Sequence, residues 1–307
     1  MQTRFPFAHT FSIVARDPST GEMGVAVQSH WFSVGTLVPW GEAGVGIVAT
    51  QSMVEPSYGP LGLKMMRVGK TANQALTGLL ALDSGKDLRQ VAMVDCKGNV
   101  AVHTGDRCIK FAGHECGEGF SVQANMMANP TVWPAMAQAY RDSAGNLAER
   151  LLRSLEAGQA AGGDIRGMQS AAILIVAPAN TGRSWSNRLI DLRVEDHSTP
   201  LLELRRLICL HQAYDFMNMG DDFLSSGNID SALESYRRAA ELAPEILELP
   251  FWQAVTMVDL GRIDEAIEIF KPIFLTQPDM RALLQRLPAA GLLSCDQITL
   301  NKIITLT

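Results

Sequence analysis

Side chains able to do chemistry are sparse in this sequence, and several familiar arrangements are missing. His114-Glu115-Cys116 and Asp196-His197 are sequence neighbours, so neither has the helix-turn or knuckle spacing of metal ligands. There is no GxSxG elbow, phosphate loop or dinucleotide fingerprint, and the glycines from Gly41 to Gly46 do not open a helix. No metal site and no cofactor are expected. What remains is a set of polar residues at the ends of apolar strands. Asn125 closes FSVQAN and could donate its amide to an oxyanion, a contribution of about 3–4 kcal/mol where such donors are removed. Gln123 offers the same chemistry on the same strand face. Capping the strand before the Asn129-Pro130 turn explains Asn125 equally well. Asp164 and Arg166, in Gly-Gly-Asp-Ile-Arg-Gly, could orient a reacting amine or grip a substrate carboxylate in a bidentate pair; an ion pair in a surface turn is the alternative. Ser29, His30 and Ser170 could complete a hydrogen-bond network or simply satisfy strand ends. His30 could serve as a base near neutral pH or be a structural histidine. Trp31, Phe32, Trp40 and Tyr58 either wall a cleft or pack in a core, and Arg16-Asp17 belongs to a hairpin turn.

The elements that must position these residues read as strands and paired helices. Thr10–Arg16 (TFSIVAR) and Met23–Gln28 form a hairpin around Asp17-Pro-Ser-Thr-Gly-Glu. Residues 44–51 are an apolar strand. Residues 60–68 and 71–82 read as helices, the second N-capped by Thr71. Residues 89–95 and 100–104 form a second hairpin around Cys-Lys-Gly-Asn. A strand over 120–126 precedes helices at 131–141 and 147–157, and strands at 169–176 and 189–194 close the region. Paired helices between antiparallel hairpins do not fit alternating βαβ units. Strands apolar on both faces, such as AAILIV, need cover on both sides. A helix–sheet–sheet–helix sandwich meets that requirement.

The chain has 307 residues, about two domains' worth. Net charge is −6, which weighs against a nucleic-acid or basic membrane-surface role. From Leu201 onward there are 15 acidic and 9 basic residues, so the first 200 residues balance at zero; only four of 26 glycines fall after position 200. Two domains are expected, with an N-terminal extension over 1–9, a mixed domain over 10–200 and a helical domain over 201–307. In the last, Gly227-Asn-Ile-Asp-Ser-Ala-Leu recurs 34 residues later as Gly261-Arg-Ile-Asp-Glu-Ala-Ile, and Tyr236 and Pro244 match Phe270 and Pro278 at the same offset. This is the tetratricopeptide period. Two repeats are fewer than usually stand alone, so residues 281–307 should add one or two capping helices, and the array should dock on the first domain or on another subunit. A protein or peptide partner, or homo-oligomerisation, is then expected; a structural appendage is the alternative. MQTRFPFAHT lacks a signal peptide's apolar core, and no run suits a bilayer span. Five cysteines without a CxxC pair read as buried or idle thiols of a reducing cytoplasm.

One strand remains, the one that Thr10 opens nine residues into the chain. HTFSIVARDPSTGEMGVAVQS, VGTLVPWGEAGVGIVATQS, YGPLGL, QVAMVD, AGHECGEGFSVQANMM, LAERLLRSLEAGQAAGGDIRGMQSAAILIV and DLRVEDH, in this order over about residues 9–197, resemble an uncharacterised family with an N-terminal nucleophile (Ntn) hydrolase-like fold, whose members often carry a tetratricopeptide-like tail. The resemblance implies an α+β fold, a four-layer αββα sandwich followed by an all-α tetratricopeptide-like domain. It also implies hydrolysis of a small amide or peptide-like bond with Thr10 as nucleophile. A threonine hydroxyl needs a base, and a free α-amine, with a pKa near ~8, suits that task. Family members commonly begin Met-Thr-Phe-Ser; here His9 replaces the methionine, so Thr10 becomes terminal only if the His9–Thr10 bond is cut. The alternative is a catalytically inactive scaffold whose repeats bind a partner.

Overall fold

The computed structural model describes residues 7–306. The chain divides into two compact units, Met1–Leu207 and Ile208–Thr307. In the first, one sheet consists of β1 (Phe7–Ala8), β4 (Pro39–Glu42), β5 (Gly46–Met53), β6 (Arg89–Asp95) and β7 (Val100–Thr104). The other consists of β2 (Thr10–Arg16), β3 (Met23–Ser29), β8 (Gly113–Gly117), β9 (Phe120–Ala124), β10 (Ser170–Val176) and β11 (Arg188–Val194), in the order β11-β10-β3-β2-β9-β8. All pairings are antiparallel.

The sheets lie face to face, with α1 (Tyr58–Arg67) and α2 (Ala72–Leu82) on the outer face of the first and α3 (Val132–Asp142) and α4 (Leu147–Ala160) on that of the second. The order of layers is α-β-β-α. Between the sheets Val14, Val25 and Leu174 meet Ile47, Ala49 and Val94, while Leu63, Met66 and Leu76 cover Val48, Val91 and Met93 from outside. Residues of β3, β6 and β10 are buried on both faces, as the apolar runs demanded. Burial of each large apolar side chain contributes roughly 1.5–3 kcal/mol. Helix α4 rides close over β3 because Gly24 lacks a side chain: a Cβ there would meet Leu151 at 2.6 Å.

Local sequence explains the element ends. Thr71 and Gln74 close a capping box on α2, and Asn146 caps α4 by accepting from Glu149 N–H. The carboxylate of Asp95 accepts from the Lys97 and Asn99 amides in the β6–β7 turn and from Ala72 N–H at the start of α2. Two strands absent from the sequence reading, β4 and β8, are short and partly exposed. Of the nine residues read as an extension, 1–6 lie outside the described residues, and Phe7–Ala8 pair with Ser52–Met53 as a strand of the first sheet. All five cysteines are free thiols, and Cys96 and Cys116 are exposed rather than buried.

Helix α5 (Pro200–Ser225) contains the boundary between the units. The second unit continues with α6 (Ile229–Leu242), α7 (Glu248–Asp259), α8 (Ile263–Thr276), α9 (Met280–Arg286) and α10 (Gln297–Ile304), the last two where the sequence predicts capping helices. Equivalent repeat positions share an environment. Ala232 and Ala266 are buried, as are Tyr236 and Phe270, and Phe270 packs edge-to-face on Phe251 at 5.6 Å. Gly227 and Gly261 both take left-handed φ, +78° and +75°, just past a helix end. No helix among the described residues is long and apolar enough to cross a membrane.

Candidate active site

Antiparallel pairing gathers strand ends at one end of the second sheet. Thr10 at the start of β2 lies opposite Ser29 at the end of β3, and Ser29 opposite Ser170 at the start of β10. On the other flank the Asn125 amide donates to Thr10 O at 3.1 Å, and Asp164 bridges Met127. The first sheet contributes Gln51 and Gln90, which face each other in the β5–β6 register.

The side chains form one buried polar network. Thr10, Ser12, Ser29, Gln51, Gln90, Gln123 and Asn125 are all fully buried. Gln51 Nε2 donates to Gln90 Oε1 at 2.7 Å and to Thr10 O at 3.2 Å, and Gln51 Oε1 accepts from Ser12 Oγ at 2.6 Å. Gln123 Nε2 donates to Ser12 Oγ at 2.6 Å. Asn125 Nδ2 donates to Gln90 Oε1 at 2.9 Å and to Thr10 O at 3.3 Å, which leaves Asn125 Oδ1 to accept from His9 Nδ1 at 2.8 Å. His9 is therefore held with its proton on Nδ1. Burial is the main cause that lowers its pKa, helped by Arg166 and opposed by Asn125 and Asp164, so the ring is neutral at pH 7.

The bond between His9 and Thr10 has a specific setting. The His9 carbonyl oxygen accepts from Ser29 Oγ at 2.6 Å and from Arg166 Nη2 at 2.8 Å. Arg166 is fixed by buried Asp164, whose carboxylate also takes Arg166 Nε at 3.0 Å, Nη2 at 2.6 Å and the Arg166 amide at 2.9 Å. The Thr10 hydroxyl lies within hydrogen-bond reach of two acceptors, Ala8 O at 2.7 Å and Ser29 Oγ at 3.1 Å. Two of the three non-glycine residues with left-handed φ among the described residues flank this spot: Ser52 (+73°), opposite Ala8, and Met126 (+58°), next to Asn125. Strained backbone of this kind concentrates at functional sites.

Among the residues singled out from sequence, the fold thus brings together Thr10, Ser29, Asn125, Asp164 and Arg166, with Gln123 joined through Ser12. Their contacts differ in detail from the expected ones. The Asn125 amide faces the carbonyl of Thr10 itself, and Asp164 reaches the site only through Arg166. Ser170 lies outside, its hydroxyl donating to Trp31 O and accepting from Val34 N–H to pin that loop. His30 is half-buried beside Gly167 and makes no hydrogen bond among the described residues. Trp40 and Tyr58 pack with the helices of the first sheet, and Phe32 is exposed, so the four aromatics do not wall one cleft. Sequence reading missed Ser12, Gln51 and Gln90. Ser12 carried a signal, a polar residue between Phe11 and Ile13 in an apolar strand; Gln51, between Thr50 and Ser52, and Gln90, next to Arg89, carried none. No cluster of His, Cys, Asp or Glu suited to a metal ion occurs among the described residues.

Residues 10–204 match the family of unknown function DUF1028. This chain belongs to that family. The DUF1028 match opens at Thr10 itself, and a separate tetratricopeptide-repeat match covers residues 223–289. The crystal structure of a Silicibacter pomeroyi protein assigned to DUF1028 is similar, at 30% identity over 66% of this chain and 85% of that one, with a TM-score of 0.59. No curated protein matches the chain.

Proposed function

We propose that this DUF1028 protein is an N-terminal-nucleophile amidohydrolase that prepares itself by cutting its own His9–Thr10 bond. The observation that carries the reading is the pair of donors on the His9 carbonyl oxygen, Ser29 Oγ at 2.6 Å and Arg166 Nη2 at 2.8 Å, beside a buried hydroxyl on the next residue. Donors already aimed at the oxygen where charge develops are the main requirement of acyl-transfer catalysis. Thr10 Oγ adds to the His9 carbonyl carbon as Ser29 and Arg166 hold the oxygen. The C–N bond then breaks, the nitrogen of Thr10 gains the proton lost by its hydroxyl, and His9 is left as an ester on Thr10. Water hydrolyses the ester, giving a His9 carboxylate and a Thr10 with free hydroxyl and amine. The amine then serves as base for the hydroxyl in each later turnover.

Three further observations support it. The family match begins at Thr10. In the uncut chain Thr10 is completely buried and its hydroxyl donates to Ala8 O, as a precursor should. The layer order is the one implied by the resemblance to Ntn hydrolases. In the mature site, Ser29 and Arg166 receive the carbonyl of a small amide or peptide-like substrate, and Asn125 and Gln51 hold the Thr10 carbonyl and so the strand end. Asp164 positions Arg166. Gln123 braces the network, while Ser170 anchors the Trp31–Val34 loop next to the strand end. Five free thiols suit a cytoplasmic setting.

The second reading is an inactive scaffold whose tetratricopeptide repeats bind a protein partner or a second copy. It is favoured by the repeat match over residues 223–289. Intact-mass analysis of purified wild-type chain against Thr10→Ala separates the two. The first reading requires loss of residues 1–9 from the wild type alone, and labelling of the shortened chain by a threonine-directed electrophile. A full-length mass for both, with no label, leaves only the scaffold.

A further inference from the structure

Six residues along β2 from Thr10, and so roughly 20 Å away, the opposite end of the same unit holds a cavity of about 330 Å³ lined by Arg16, Lys97, Glu118, Gly119, Tyr140 and Arg150 among others. Its cations are poorly compensated. Arg16 has no ion-pair or side-chain hydrogen-bond partner among the described residues, and its Nε is cut off from water without an acceptor. The Nε of Arg150 is in the same condition; its guanidinium lies over the Tyr140 ring, 4.4 Å from the centroid, and meets Asp17 only at 3.3 Å. The Asp17 carboxylate is already engaged by Ser19 N–H, Ser19 Oγ and Thr20 N–H of its own turn. Lys97 and Glu118 are exposed.

The Arg16 guanidinium has no counter-charge among the described residues, and an anion in the cavity beside it would supply one. We propose that this cavity binds a phosphoryl dianion carried on a small organic molecule. Two guanidinium forks and an ammonium suit a tetrahedral dianion, whereas a lone carboxylate needs only one fork. The volume leaves room for a group attached to the phosphate. Arg16 is the central ligand, Arg150 the second, and Lys97 the mobile charge nearer solvent.

The test uses the full chain and, in parallel, the uncut Thr10→Ala chain, so that its outcome does not depend on self-cleavage. Inorganic phosphate, glycerol 3-phosphate and acetate are titrated at constant ionic strength with chloride as balance, read by calorimetry and by melting temperature. Saturable binding of both phosphates, tighter for the ester, is expected on both chains, with acetate much weaker. Arg16→Gln should weaken phosphate binding about tenfold or more, and Lys97→Gln less. Without ligand, Arg16→Gln should melt at or above the wild-type temperature, because the guanidinium has no partner to lose. Phosphate binding unchanged in Arg16→Gln, acetate binding as tight as phosphate, or a lower melting temperature for unliganded Arg16→Gln would each overturn the assignment.

Discussion

Arg166 reaches the His9 carbonyl from a glycine-rich turn, and what holds it there is Asp164, a fully enclosed carboxylate with three contacts to that one residue. Removing the arginine leaves the developing oxyanion with Ser29 alone. Arg166→Gln should therefore slow self-cleavage by about 10²–10³-fold, the usual loss for one such donor, and full-length chain should accumulate in a time course of intact mass. Asp164→Asn should slow it in the same direction, because Arg166 loses its anchor. His9 adds a pH signature. In the unfolded chain its pKa is near 6.5, and in the folded precursor burial lowers it. As pH falls below about 6.5 the unfolded state takes up the proton first, so stability of the uncut fold declines with falling pH from there down to the depressed folded value. At higher pH both states are neutral and His9 contributes no slope. Melting temperatures of Thr10→Ala, with and without His9→Gln, between pH 7.5 and 5 measure this: the double variant should show the shallower decline. The difference isolates His9 from His114, whose pKa burial also lowers.

At the scale of elements, β5 and β6 are tied to β2 and β9 by glutamine side chains as well as by apolar packing. Gln51 alone touches Ser12, Gln90 and the carbonyls of Thr10 and Gln123. Gln51→Leu keeps the volume but strands several of these groups, at about 1–3 kcal/mol for each one left buried and unpaired. Denaturant unfolding of Thr10→Ala with and without Gln51→Leu should show a loss of at least that size. Strands that bury both faces, β2, β3, β6 and β10, were legible as hairpin arms or apolar runs, and α2 as a periodic segment with Thr71 before it. The edge strands β4 and β8 were not. β8, GHECG, alternates between half-buried and exposed with nothing apolar to mark a face, and β4, PWGE, carries a proline and a glycine that read as turn chemistry. The site was legible in its members more than in its contacts. Asn125 and Arg166 stand out as polar residues at strand ends and turns, but which of them meets the His9 carbonyl depends on register across two sheets, and no local pattern encodes that.

The whole molecule joins a charge-balanced, glycine-rich mixed unit to an acidic helical one, and each keeps its own core. The repeats were the most legible part, since one offset of 34 residues aligns Gly227 with Gly261 and Tyr236 with Phe270 in the sequence alone. The first unit carries the chemical claim, and that claim concerns a covalent bond. Its most direct measurement is the intact mass of freshly purified full-length chain followed at neutral pH, beside Thr10→Ala under the same conditions. The account predicts that the wild type loses the mass of Met1–His9 and acquires threonine at its new amino terminus, while Thr10→Ala stays whole. A wild type that remains whole as long as the variant does contradicts it.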